Sequence, residues 1–311
     1  MRSLWRGRGR LSSVSRLRYR SLGAWHGRSA QARRASHTQA LAGIVDRCRV
    51  SQPSLSACLI VRDEATRLGA CLDAVQPFVD EVVVCDTGSI DATVDVAIAT
   101  GAVVVECEWE RDFASARNHA LSATRTDWVL SIDADELAIG MALWLPDLLE
   151  ACHNELDALA VQIDNSSCPD AAAVAVHREV RLFRRTVGRW SGRVHERLVA
   201  YDTQALWTAD LPAETLQLVH HGYDDRLTAA MKAVRNADLA AQQLAEDLSS
   251  TADSSAIARS ALDLGRSYLG AGRPELAGES LILAQRLGDA DTQHWAHHFL
   301  SRCHDTSGGA A

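Results

Sequence analysis

Lysine is almost missing from this chain. Of 32 basic residues one is lysine, Lys232, and the rest are arginine. With abundant alanine, that bias points to a GC-rich coding sequence rather than to a function. Acidic residues are missing from the first 45 positions, where Arg2, Arg6, Arg8, Arg10, Arg16, Arg18, Arg20, Arg28, Arg33 and Arg34 recur. No apolar run approaches the roughly 18 residues a membrane helix needs. The eight cysteines contain no C-x-x-C pair, which argues against a zinc knuckle or a thioredoxin-type site. Cys58, Cys85 and Cys107 instead lie in apolar strand patterns, where a reduced thiol is a small core residue. A net charge of -8 gives no general attraction for nucleic acid.

The basic leader, residues 1–50, lacks apolar periodicity. It reads as a tail outside the folded part, or as a start assigned too early in a GC-rich gene. Its Arg- and Ser-rich composition is also that of an organelle transit peptide, and weak attachment to anionic lipid is a third option. The expectation is a cytoplasmic protein, with peripheral attachment to a membrane left open.

From Ser54 the pattern becomes regular. "SACLIV", "EVVVCD", "AVVVECEW" and "DWVLSIDAD" read as strands. Between them, helical stripes put Leu68, Leu72 and Val75, then Val94, Ala97 and Ile98, then Phe113, Ala116, Ala120 and Leu121 on inward faces. Strand and helix alternating through short links predict an α/β unit with a mostly parallel sheet. "DALAVQI" and "EVRLFRR" read as further strands. After Asp225 the chain reads as Ala/Leu-rich helices, where Leu262, Leu264, Gly265, Tyr268, Gly272, Ala277 and Ala284 have the spacing of a tetratricopeptide repeat. A lone repeat cannot bury its own faces and has to pack on its neighbours. Those helices are either a cap or a platform for a peptide or protein partner.

Ligands bind at the carboxyl ends of the strands in such a sheet. Three strands deliver carboxylates there: Asp63 and Glu64, Asp86, then Asp133, Asp135 and Glu136. Asp91 or Ser89 alone is an ordinary helix N-cap. Asp133 and Asp135, one residue apart at a strand end, suit a hard divalent cation, Mg²⁺ or Mn²⁺, that keeps positions open for phosphate oxygens.

The stretches "CLIVRDEATRLGACLDAV", "VDEVVVCDTGSIDAT", "WERDFASARNHAL", "DWVLSIDADE", "GRVHE" and "HHGY" together resemble glycosyltransferase family 2, in the bacterial branch where a GT-A domain precedes tetratricopeptide-like helices. The domain would cover residues 54–223 and the helices 225–305. "VRDE" departs from the family, where Lys-Asn-Glu is more usual. The resemblance implies a nucleotide-sugar donor, preferably a UDP-sugar, and inversion at the anomeric carbon. It implies metal binding at Asp133 and Asp135, with His220 as a third ligand, and donor binding at Asp63, Asp86, Arg117, Asn118 and Asp133. Inverting transfer needs a general base, for which Glu196 is preferred and His195 is the orienter or alternative. Trp109 and Trp190 would either stack on a sugar or base or belong to the core.

The acceptor stays open among glycan, lipid carrier, peptide and small metabolite. A nucleotidyltransferase would want a glycine-rich loop after the first strand and a nearby lysine, but no glycine occurs there before Gly69 and the domain has no lysine. A decayed scaffold is the other alternative, and the intact "DADE" and "DTGSIDAT" argue against it.

Overall fold

Seven residues, Leu55–Val61, six of them apolar, form strand β1, all buried except half-buried Ile60. The structure, a computed structural model, describes residues 52–140, 143–165, 176–202, 205–220 and 226–305. The leader, the turn-rich loop after Asn165 and "HGY" of the "HHGY" stretch lie outside them. A strand buried on both faces belongs in the middle of a covered sheet. Accordingly β1 pairs in parallel with β2 (Glu81–Asp86) and β4 (Trp128–Ser131). β3 (Val103–Glu106) extends the parallel half beyond β2. Helix α1 (Ala65–Val75) buries Leu68, Cys71, Leu72 and Val75, an i, i+3, i+4, i+7 stripe. It packs with α2 (Thr93–Ala99) and α4 (Leu145–Cys152) on the same hydrophobic cluster. Helix α3 (Phe113–Ala123) helps cover the other face, where Ala120 and Leu121 join Cys58, Cys85 and Val129. Asp112 caps it by accepting from Ser115 N–H at 3.0 Å.

Beyond β4 the sheet is mixed. The remaining strands are β5 (Glu136–Ile139), β6 (Ala158–Asp164), β7 (Val176–Arg184), β10 (Thr208–Asp210) and β11 (Gln217–His220). The order is β3-β2-β1-β4-β7-β6-β11-β5, with β10 also on β6. β7 runs antiparallel to both β4 and β6, whereas β6 is parallel to both β10 and β11. β11 is antiparallel to β5, with His220 opposite Glu136. A separate ribbon joins β8 (Gly188–Ser191) to β9 (Arg197–Ala200).

Two expectations need correction. Ile98 is 59% exposed; the buried face of α2 is Thr93 and Ala97. β3 also stops at Glu106, short of the "CEW" that was read into it.

The C-terminal helices are α5 (Arg226–Ser249), α6 (Ser254–Gly270), α7 (Pro274–Leu287) and α8 (Ala290–Asp305). α6 and α7 form a close pair in which Gly265 faces Leu281; a Cβ at 265 would lie 2.5 Å from the Leu281 side chain. These helices belong to one compact unit with the sheet, Gln52–Ala311. Val194, Trp109 and Phe113 of the sheet domain pack into the same cluster as Leu239, Leu264 and Leu281. Among the described residues, no helix is long and apolar enough to cross a membrane.

Candidate active site

The carboxyl ends of β1, β2 and β4 converge as expected. At the end of β2, Asp86 is 5% exposed. Its Oδ2 accepts from the N–H groups of Gly88 and Ser89, both at 3.0 Å, and Oδ1 accepts from Ser89 Oγ at 2.5 Å. Asp63, in the left-handed region at φ 54°, stitches the same turn to β1. Its N–H donates to Ser89 Oγ at 2.9 Å and its Oδ1 accepts from Ile90 N–H at 2.8 Å. Beside this turn lies a hollow of about 370 Å³ lined by Asp86, Gly88, Glu106, Cys107 and Glu108. Cys107 is therefore not purely a core residue. Its Sγ lies 2.9 Å from the buried Cys85 Sγ.

At the end of β4, two arginines hold Asp133. Arg117, from α3, donates to Asp133 Oδ1 at 2.7 Å, to Ser131 Oγ at 3.0 Å and to Glu196 Oε1 at 2.5 Å. Arg181, from β7, donates to Asp133 Oδ2 at 3.3 Å, to Glu136 Oε1 at 3.2 Å and to Glu179 Oε2 at 3.2 Å. Burial pushes the Asp133 carboxyl up, but the two guanidiniums outweigh it and hold it well below the usual range. Glu136, 3% exposed, goes the other way: burial, reinforced by Asp133 and opposed by Arg181, pushes it up to about 7.

Asp135 meets a different set of partners. The β5–β11 register brings His220 to it, with Nε2 3.2 Å from Asp135 Oδ2. A run of hydrogen bonds reaches His220 from behind. His177 Nε2 lies 3.1 Å from Glu179 Oε1, Asn165 Nδ2 lies 3.4 Å from His177 Nδ1, and His220 Nδ1 lies 3.1 Å from Asn165 Oδ1. If each member alternates as donor and acceptor, His177 carries its proton on Nε2 and His220 carries its own on Nδ1. A neutral His220 then turns a lone pair toward a carboxylate. Only a cation or a second proton relieves that contact. Burial lowers the His220 pKa, but the bond to Asp135 and the charges of Asp135, Glu136 and Asp133 more than reverse this and raise it. A carboxylate and an imidazole oriented from behind fit a divalent cation. Among the described residues no three metal-ligating side chains cluster, so such an ion would complete its shell with water and substrate oxygens.

The two halves of "HE" part company. After Gly192 (φ 105°), the turn carries His195 at φ 53°. Glu196 turns to Arg117, while His195 Nε2 meets Ser267 Oγ of α6 at 2.9 Å. Asn118 spends its amide on the backbone of β8: Nδ2 donates to Trp190 O at 2.9 Å, and Oδ1 accepts from Trp190 N–H at 2.8 Å. Trp190 packs edge-on against Phe183 and lies 5.3 Å from Arg117 Cζ; Trp109 packs against Phe113.

Burial, with Arg266 and Arg197 nearby, holds His195 well below the ordinary imidazole value. The unfolded chain binds a proton below about pH 6.5 that the folded site refuses, so this group's stabilisation is lost as the pH falls. The loss reaches about 1.4 kcal/mol per pH unit. His195→Gln is expected to lose less stability between about pH 7.5 and about pH 5.5 in urea unfolding. A gap between variant and parent that is the same at both pH values would contradict the assignment.

The family model of glycosyl transferase family 2 matches residues 56–205. Those residues are a family 2 glycosyl transferase domain. A TPR repeat-containing protein of Synechococcus elongatus is 41% identical over 130 residues, covering 42% of this chain and 31% of that protein. An uncharacterized glycosyltransferase of Rickettsia felis is 38% identical over 112 residues, covering 35% of this chain and 38% of that one. The chain thus spans about a third of the length of these curated relatives. Among solved structures, glucosyl-3-phosphoglycerate synthase from Mycobacterium tuberculosis, in complex with Mn²⁺, UDP-glucose and phosphoglyceric acid, matches with a TM-score of 0.42 and 19% identity, over 68% of this chain and 84% of that one. All of "GRVHE" lies inside the family 2 match, whereas His220 and α5 lie beyond it.

Sequence reasoning missed Arg181, Glu179, His177 and Asn165. The first three carried a faint signal: with period two, they occupy one face of β7.

Proposed function

We propose that this protein is a metal-dependent, inverting glycosyltransferase that moves a sugar from a nucleotide-sugar donor, a UDP-sugar, to an acceptor hydroxyl. The observation that carries the reading is Asp135 facing a His220 whose Nδ1 is bonded to Asn165. It lies one residue from an Asp133 clamped by two arginines.

Each residue then has a role. The acidic hollow of Asp86, Glu106 and Glu108 offers acceptor oxygens to the hydroxyls and N–H groups of a nucleoside. Asp63 and Asp86 hold the turn that shapes it. Asp135 and His220 hold the ion, Mn²⁺ or Mg²⁺, which when bound supplies positive charge to the diphosphate. Arg117 and Arg181 fix Asp133 beside it. Asn118 is a positioning residue acting through Trp190, and His195 is one acting through the turn that aims Glu196.

Glu196 serves as the base. Its Oε1 is taken by Arg117, which leaves Oε2 to receive the acceptor proton. The acceptor oxygen forms a bond to the anomeric carbon from the face opposite the leaving group. The bond from that carbon to the diphosphate oxygen breaks, its electron pair leaves with the diphosphate, and the proton passes to Glu196. One displacement gives inversion. Screening nucleotide sugars with Mn²⁺ for release of the nucleoside diphosphate tests the reading. Release from one donor class, abolished by EDTA, is expected; release from none would overturn it.

A further inference from the structure

The one lysine of the chain stands at this site, delivered by the C-terminal helices. Lys232 lies on α5, and its Nζ is 3.9 Å from Asp135 Oδ2 and 3.5 Å from Glu64 Oε1. Its side chain is 25% exposed and the two carboxylates 11% and 14%, so the group is largely screened from water. α5 is fastened at several points along its length. Arg235 lies over the Phe113 ring at 5.0 Å, and Asp238 pairs with Arg111. Gln243 Oε1 accepts from Arg193 N–H at 3.2 Å, and Glu246 pairs with Arg193 at 2.7 Å. α5 therefore runs from the Asp135 end of the site to the turn before Glu196, and Lys232 is held over Asp135 by the same helix that braces that turn.

We propose that Lys232 is a donor-binding residue that takes the diphosphate of the nucleotide sugar and neutralises it as it leaves. This rests on the donor-site reading above. At 3.9 Å the ammonium is beyond hydrogen-bond distance from Asp135, so its contact there is charge alone. An ammonium on a four-carbon stem is a mobile point charge, unlike the planar guanidiniums that grip Asp133. When Asp135 gives its charge to the metal, Lys232 loses an anion and the arriving diphosphate offers another. As the bond between the anomeric carbon and the diphosphate oxygen breaks, the electron pair stays on that oxygen, and Lys232 pairs with the added negative charge without giving up a proton. The helical region is then part of the donor site as well as packing on the domain.

A lysine that serves only as a strut between α5 and Glu64 makes a different prediction, and nucleotide binding separates the two. Calorimetry with UDP and with UMP, in the presence of Mn²⁺, is run on the full chain and on Lys232→Gln, with Mn²⁺ binding alone followed by electron paramagnetic resonance. Lys232→Gln is expected to weaken UDP on the order of 10-fold and UMP less than about 2-fold, and to leave Mn²⁺ binding equal or tighter because a competing cation is gone. Equal weakening of UDP and UMP would assign Lys232 to the strut role. Unchanged UDP binding by the variant would also overturn the inference, while leaving the donor site standing. Failure of the unaltered chain to bind UDP would overturn the donor-site reading together with the inference.

Discussion

Glu196→Gln is expected to lower sugar transfer by about 10²- to 10⁴-fold while leaving UDP affinity in place. Glutamine keeps an oxygen for the Arg117 Nε bond, so the clamp on Asp133 survives. What disappears is the charge that accepts the proton of the attacking hydroxyl. Asp133→Asn, in contrast, leaves Arg117 and Arg181 without the carboxylate between them, and is expected to lose nucleotide binding and transfer together. Product formation and calorimetry on both variants check this. Native-rate transfer by Glu196→Gln would place the base elsewhere: on His195 if His195→Ala loses transfer, and on Glu136 if His195→Ala also transfers at the native rate.

Arg181→Met is expected to be the most damaging single change to stability, at about 3–5 kcal/mol in urea unfolding. Arg181 is buried and touches three carboxylates. Methionine of similar length fills much of the space but leaves Glu136, 3% exposed, next to Asp133 with no guanidinium between them. The cost of a broken buried pair is mostly that of the charge left behind. Arg181→Met combined with Glu136→Gln is therefore expected to recover a substantial part of the loss, a coupling that independent sites do not show. Additive losses in the double variant would mean that the Arg181–Glu136 pair is not what holds this layer together.

The parallel half of the sheet and its strand-end carboxylates were legible because both are local. Apolar runs set β1, β2 and β4, and the polar residues follow each run directly in the chain. The mixed half was not legible to the same degree. Pairing Asp135 with His220 depends on the β5–β11 register across some eighty intervening residues, which no local pattern encodes. Arg181 sits between Val180 and Leu182, which pack into different hydrophobic clusters, so the apolar run concealed an ion-pair layer. Ile98 was misplaced because α2 is a two-turn helix whose buried face is filled by Thr93 and Ala97. Nothing local separated His195 from Glu196 as base and orienter, but the turn with His195 at φ 53° sends Glu196 to Arg117 and His195 to Ser267. Lys232 lies outside the sheet domain in the sequence, and only tertiary packing brings it to Asp135.

The most direct test of the account is UDP binding by calorimetry on the unaltered chain and on Asp135→Asn, with Mn²⁺ and with EDTA. The account predicts binding by the unaltered chain with Mn²⁺, at least about 10-fold weaker binding in EDTA, and no metal enhancement in Asp135→Asn. Equal UDP affinity with and without metal, or full metal enhancement in Asp135→Asn, would contradict it.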